Sequence, residues 1–251
     1  MNFRILRALA LAATSLAWSF AQAGEITVSA AASLTHALRD LGPLFEAARP
    51  GARLRFNFGA SGALLAQIAK GAPADVFVSA DQESMDLAQA RGLVRPAQRR
   101  DLLSNTLVVI VPAASSKAPR ALGDLTDAGY ARIAIGLPAS VPVGRYTKAA
   151  LEAARLWGAI EPKTIGASNV RQALDYVARA EVDAGFVYAT DAVIMPDKVR
   201  VAFTVPTARP ILYPVATLAG APNPAEAAKF VDFLFTPPAQ AVLAKHGFGR
   251  P

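Results

Sequence analysis

Apolar residues along the chain fall into two alternating patterns. Short β-type apolar runs occupy Ile26–Ala31, Leu54–Phe58, Val76–Ser79, Leu107–Val111, Arg132–Ile135, Ala184–Val187, Val199–Phe203 and Val215–Ala219. Between them the spacing becomes helical: Leu34, Leu38, Leu41 and Phe45 share one face, as do Leu64 and Ile68, and further on Tyr146, Ala150, Ala153 and Trp157. Such alternation predicts βαβ units and mostly parallel sheets, because a parallel pair needs a crossover and the crossover helix covers the sheet.

Two features divide these units into two lobes. The run Leu107–Val111 follows a full set of three strand–helix units, and the last helical segments, Pro224–Phe235 and Pro238–His246, come after a strand with no new sheet to cover. They are expected to return to the first lobe, giving lobe 1 as residues 24–104 with 211–251 and lobe 2 as 105–210. The Pro/Ala stretch Val111–Pro119 and the turn Thr207–Pro210 mark the neighbourhoods expected for the two crossovers.

The N-terminus has a different pattern. Arg4 and Arg7 precede an apolar run from Ala8 to Phe20, which ends in Ala21-Gln22-Ala23; this is the layout of a secretory signal peptide over residues 1–23. The run is short for a membrane span, which takes about 20 apolar residues, and no later segment reaches that length. The mature chain is expected to begin near Gly24 and to be soluble outside the cytoplasm. The 251-residue sequence has no cysteine, which excludes disulfides, thiolate metal sites, Cys nucleophiles and a lipoprotein anchor. The formal charge of +7 falls to +5 without the leader, and the basic residues are scattered, with Arg99-Arg100 the longest run. That is not the stripe with interleaved aromatics of a nucleic-acid binder.

Candidate chemistry sits at strand-to-helix turns, since ligands of open α/β sheets bind outside the carboxyl ends of strands. Ala30-Ala31-Ala32-Ser33 places Ser33 at the N-cap of the helix through Leu34 and Phe45, and Phe58-Gly59-Ala60-Ser61-Gly62 places Ser61 before the helix Ala63–Lys70. An N-cap serine commonly satisfies only a backbone N–H. Small neighbours on both turns leave hydroxyl and N–H groups open to an anion, for which a helix N-terminus is a ready site. Ser140-Val141-Pro142-Val143-Gly144 shapes a loop ahead of a helix starting near Arg145, and Ala167-Ser168-Asn169-Val170 is a cap-like start that leaves N–H groups at Val170 and Arg171 unpaired. Tyr188 ends the strand Ala184–Val187; by periodicity alone it is a core-edge residue with a wet hydroxyl.

Other residues have plainer readings. Asp75 and Asp81 suit local turn or cap roles better than metal binding, having no accompanying cluster. His36 lies three residues after Ser33, but the pair lacks a G-x-S-x-G elbow, which argues against a serine hydrolase and for a solvent-facing histidine. His246 has no evident partner. Gly59-x-x-Gly62 lacks the G-K-[ST] ending of a phosphate loop.

The strings Ala30-Ala31-Ala32-Ser33-Leu34, Gly71-Ala72-Pro73-Ala74-Asp75-Val76-Phe77-Val78-Ser79-Ala80-Asp81, Asn105-Thr106-Leu107, Val141-Pro142-Val143-Gly144-Arg145-Tyr146, Asn169-Val170-Arg171-Gln172, Val187-Tyr188-Ala189-Thr190-Asp191 and Tyr213-Pro214-Val215 resemble the periplasmic molybdate-binding proteins of ABC importers. They occur in that family's order across the whole mature chain. The resemblance implies a two-lobed class II periplasmic-binding-protein-like α/β fold with two crossover strands. It implies a monomer without catalysis or cofactor, which delivers its anion to an inner-membrane permease. The ligand would be molybdate, and by its similar size tungstate, contacted through its oxygens by Ser33, Ser61, the backbone amides of Val143 and Val170, and the phenol of Tyr188. Arg145 and Arg171 are expected at the lobe surface or behind the contacts; either pointing into the cleft would favour an organic acid. Within the same fold, sulfate and thiosulfate are the other ligands considered. Neutral donors suit a fully ionised dianion, whereas hydrogen phosphate brings a proton that needs an acceptor.

Overall fold

A computed structural model describes residues 24–251; the proposed signal peptide, 1–23, lies outside the described residues. Ten strands form two five-stranded sheets. The first contains β1 (Glu25–Ala31), β2 (Arg53–Gly59), β3 (Val76–Val78), β4 (Val94–Asn105) and β10 (Ile211–Leu218), in the order β2-β1-β3-β10-β4. The second contains β5 (Leu107–Pro112), β6 (Ile133–Gly136), β7 (Thr164–Ala167), β8 (Ala184–Tyr188) and β9 (Val199–Val205), in the order β7-β6-β8-β5-β9. In each, three strands run parallel and two antiparallel pairings complete the sheet: β10 against β3 and β4, β5 against β8 and β9.

The helices are α1 (Thr35–Ala48), α2 (Ser61–Ala69), α3 (Gln82–Ala90), α4 (Pro142–Ala153), α5 (Trp157–Ile160), α6 (Val170–Ala178), α7 (Ala189–Ala192), α8 (Pro224–Leu234) and α9 (Pro237–Lys245). They flank the sheets, which is why β3 and β8 read as continuous apolar runs instead of alternating ones: both faces are covered. The face predicted for α1 is the buried one, with Leu38 and Leu41 fully covered and Phe45 packed edge-on against Phe230 of α8 at 5.2 Å. Of the face predicted along α4 and on to Trp157, Tyr146, Ala150 and Trp157 are half-buried against the core. The fully buried residues of α4 are Pro142, Val143, Gly144, Thr147 and Leu151, while Ala153 is exposed. Thr147 disguises the stripe: its hydroxyl donates to Val143 O at 2.7 Å and so travels into the core already satisfied.

The chain passes from the first sheet to the second at Thr106, between β4 and β5, and returns through residues 206–210. The two passages lie side by side, with Asn105 paired to Ile211 on one side and Leu107 to Val205 on the other. The first is therefore not in Val111–Pro119, which lies beyond a strand already built into the second sheet.

Candidate functional site

Five loops at the carboxyl ends of β1, β2, β3, β6 and β7 converge with the end of β8 on one small cavity between the sheets. Ser33, Ser61, Val143, Val170 and Tyr188 all line it, and no lining residue is charged. Its volume is about 10 Å³. That is room for one small, compact group.

The first sheet supplies the serines. Neither caps a helix with its side chain, so the N-cap expectation fails for both. Ser33 sits in a single 3₁₀ turn, Ala32–Leu34, and its Oγ lies 3.0 Å from the buried Tyr213 hydroxyl. Ser61 is the first residue of α2, and its Oγ accepts the Ala80 N–H at 3.0 Å. Accepting that bond leaves the Ser61 O–H hydrogen free for a ligand.

The second sheet supplies helix starts. α4 begins at Pro142, three residues earlier than the sequence suggests, so Val143 lies in its first turn, where backbone N–H groups have no partner inside the helix. In α6 the Asn169 side chain caps by accepting from Gln172 N at 3.1 Å, which leaves Val170 N–H as an intrahelical orphan facing the same cavity. Tyr188 is 1 % exposed, so its hydroxyl is not wet; it meets the cavity and lies 3.5 Å from Ala80 O. Burial pushes the phenol's pKa well above its ordinary value, which keeps it a neutral donor.

Glycines let the walls come together. A Cβ on Gly62 would sit 2.7 Å from Ser140 O across the cleft, where Gly62 N–H instead donates to that oxygen at 3.0 Å.

Two arginines cross the cleft beside the cavity without lining it. Arg145 of α4 reaches Asp81 Oδ2 through Nε at 2.8 Å and Ser84 Oγ through Nη2 at 2.8 Å. Arg171 of α6 donates to Ala32 O at 3.2 Å and Ser33 O at 2.8 Å. Behind it lies Asp191, fully buried, with Oδ1 3.3 Å from Arg171 Nε but not aligned as a hydrogen bond; its Oδ2 accepts the Tyr188 N–H at 3.2 Å. Burial raises the Asp191 pKa to about 6, against the opposing pull of Arg171 and the Tyr188 amide. Sequence reasoning placed both arginines away from the ligand but missed that they join the two walls. That role depends on contacts between residues 61 to 139 positions apart, for which local pattern has no signal.

The remaining expectations divide. Asp81 caps α3 by accepting from Ser84 N. Asp75 is no local turn residue: it is buried and ties Thr27 N to Asn223 N, 2.8 and 2.6 Å from its two oxygens. His36 is exposed. His246 does have a partner, Asp40 at 2.8 Å, brought to it where α9 packs on α1.

Residues 26–249 match the family model for bacterial extracellular solute-binding proteins. The chain belongs to this family. It is 38 % identical to the molybdate-binding protein ModA of Escherichia coli over 235 residues, 92 % of this chain and 91 % of that one. Among solved structures it is similar to the periplasmic molybdate-binding protein of Azotobacter vinelandii, with a TM-score of 0.78 and 25 % identity over 90 % of this chain and 99 % of that one. The sulfate-binding protein SubI of Mycobacterium tuberculosis, 21 % identical over 89 % of this chain and 86 % of its own, has the same fold, with a TM-score of 0.79. Among the described residues no helix is long and apolar enough to cross a membrane.

Proposed function

We propose that this protein binds molybdate outside the cytoplasm and hands it to an ABC importer. The observation that carries the reading is the convergence of five neutral donor positions from two sheets on one small cavity with no charged lining residue. Hydrogen bonds to a charged group contribute roughly 1.5–3 kcal/mol each, so several together offset the anion's lost hydration. Neutral donors leave no unpaired buried charge when the site is empty. The named relatives support molybdate as the dianion, and tungstate, nearly equal in size, is proposed to bind as well.

The ligand contacts assigned are the hydroxyls of Ser33, Ser61 and Tyr188 and the amides of Val143 and Val170. We assign residues 24–104 with 211–251 to one lobe and 105–210 to the other, hinged at the two adjacent passages. The anion holds the lobes closed because each contributes donors, and a ligand shifts such an equilibrium only by its differential contact with the two states. The protein acts as a periplasmic monomer delivered by its signal peptide, with no cofactor and no covalent step.

The test is thermal unfolding of the chain from Gly24, purified free of added anion, with molybdate, tungstate, sulfate and phosphate. At 100 times the dissociation constant a ligand adds about 2.7 kcal/mol, which for a chain of this size raises Tm by about 5–10 °C. Shifts with molybdate and tungstate alone are the expected result. A shift with sulfate and none with molybdate would reassign the ligand within the fold, and no shift with any of the four would end the oxyanion reading.

A further inference from the structure

We infer that Asn105 and Tyr213, neither of which lines the cavity, are positioning residues that fix the Ser33 hydroxyl as a hydrogen-bond donor toward the bound anion. The inference rests on the molybdate reading and adds to it the device that makes one wall obligatorily donating.

The polarity of the relay follows from counting hydrogens. Asn105 Oδ1 accepts the Thr106 N–H at 2.8 Å, which fixes which end of the amide is which. Asn105 Nδ2 then faces Thr190 Oγ1 at 2.9 Å and Tyr213 Oη at 3.1 Å, so both of its hydrogens are spent. Tyr213 Oη therefore accepts from Asn105, and its own hydrogen needs an acceptor. Tyr213 is 0 % exposed, and the other hydrogen-bond partner of its hydroxyl is Ser33 Oγ at 3.0 Å. If Ser33 donated instead, the phenol hydrogen would be buried without a partner, at a cost of about 1–3 kcal/mol. So Tyr213 donates to Ser33, and the Ser33 hydrogen is left for the cavity that Ser33 lines.

The relay is in place before any ligand arrives. Asn105 ends β4, Tyr213 lies in β10 and Ser33 follows β1, all strands of the first sheet, so the three move together. Tyr213 is also held edge-on between Tyr188 and Phe248, with ring centres 5.7 and 5.6 Å away. Burial raises the pKa of the Tyr213 phenol well above its ordinary value, so the hydrogen it donates stays on. Donors aimed in advance cost no reorganisation when the anion binds.

The experiment is a double-mutant cycle on molybdate affinity by calorimetric titration, using the wild-type chain, Tyr213→Phe, Ser33→Ala and the double variant. Tyr213→Phe keeps the ring and its packing but frees Ser33 to turn its hydrogen away. The expected result is an affinity loss of roughly tenfold for Tyr213→Phe alone, one good hydrogen bond in size, and a change of less than about twofold when it is added to Ser33→Ala. A purely structural tyrosine predicts the same loss in both backgrounds, and that result, or no loss in either, would overturn the relay. Asn105→Asp repeats the cycle with a second variant: the aspartate accepts from Tyr213, forcing Ser33 to donate to the phenol. Its added charge repels the dianion equally with or without the Ser33 hydroxyl and cancels from the coupling. Wild-type protein that binds no tetrahedral oxyanion overturns the molybdate reading and the relay with it; wild-type binding without coupling overturns the relay alone.

Discussion

The two walls of the cavity reach similar chemistry by different means. The wall from the first sheet presents side-chain hydroxyls, Ser33 and Ser61, each with its oxygen hydrogen-bonded to a buried group behind it. The wall from the second sheet offers main-chain N–H groups in the first turns of α4 and α6, together with the Tyr188 phenol. Its backing is ionic, with the buried Asp191 against Arg171. The first wall is thus written in residue identity, and most of the second in where helices begin. Substitution should therefore damage them unequally.

The largest effect is expected at Ser61. Ser61→Ala removes a donor to the anion and leaves the buried Ala80 N–H without its acceptor, a combined loss of about 4 kcal/mol divided between affinity and stability. Calorimetry together with urea unfolding of the ligand-free protein separates the two parts, and full wild-type affinity would remove Ser61 from the site.

Next is the ionic backing of the second wall. The Asp191 pKa is raised in the folded state, from 3.8 to about 6, so the native protein holds that proton more tightly than the unfolded chain. Stability from this group is highest below pH 4, falls as pH rises to about 6, and stays reduced above. Two pH units correspond to about 3 kcal/mol. Comparing urea unfolding of wild type and Asp191→Asn across pH 4–7 isolates it; parallel curves would mean that Asp191 does not titrate in that window.

The backbone character of the second wall is tested by two changes at one position. Proline suits the first position of a helix, and Asn169 ahead of it, at φ −162° and ψ 172°, already has the extended conformation that a following proline requires. Val170→Pro should therefore preserve α6 while deleting one N–H, weakening molybdate by about 2 kcal/mol. Val170→Ala, which keeps the N–H, should change affinity by less than about twofold. If the alanine variant loses as much as the proline one, the contact is through the side chain and the contrast between walls is wrong.

The same contrast explains what was legible in the sequence. Small-residue turns after apolar runs pointed to Ser33 and Ser61, and loop or cap-like helix starts to the neighbourhoods of Val143 and Val170, because such turns depend on local chain chemistry. Strands β4 and β7 left no such mark. β4 is an edge strand carrying Arg95, Arg99, Arg100 and Asp101, with full burial confined to Val94, Leu102 and Leu103, and β7 buries only Ala167. α3 is a polar surface helix with three buried residues, Ser84, Met85 and Ala88, two of them small. The tyrosine behind Ser33 is 180 positions away in the chain and was visible only as part of a resembling string, with no role attached. The crossover was misplaced because Pro and Ala suggested a linker, whereas the actual passage is the single residue Thr106 between two well-paired strands.

That passage has a mechanical meaning. Under the proposed two-lobed reading, two bodies fastened by a pair of neighbouring ribbons, one of them a single residue long, are left with a swing about the fastening as their easiest motion. Gly62 and Ser140, which touch main chain to main chain across the seam, then act as the stop of that swing. A bulkier residue at position 62 would hold the jaws ajar by its own width, so the tightness of the grip is set by a missing side chain.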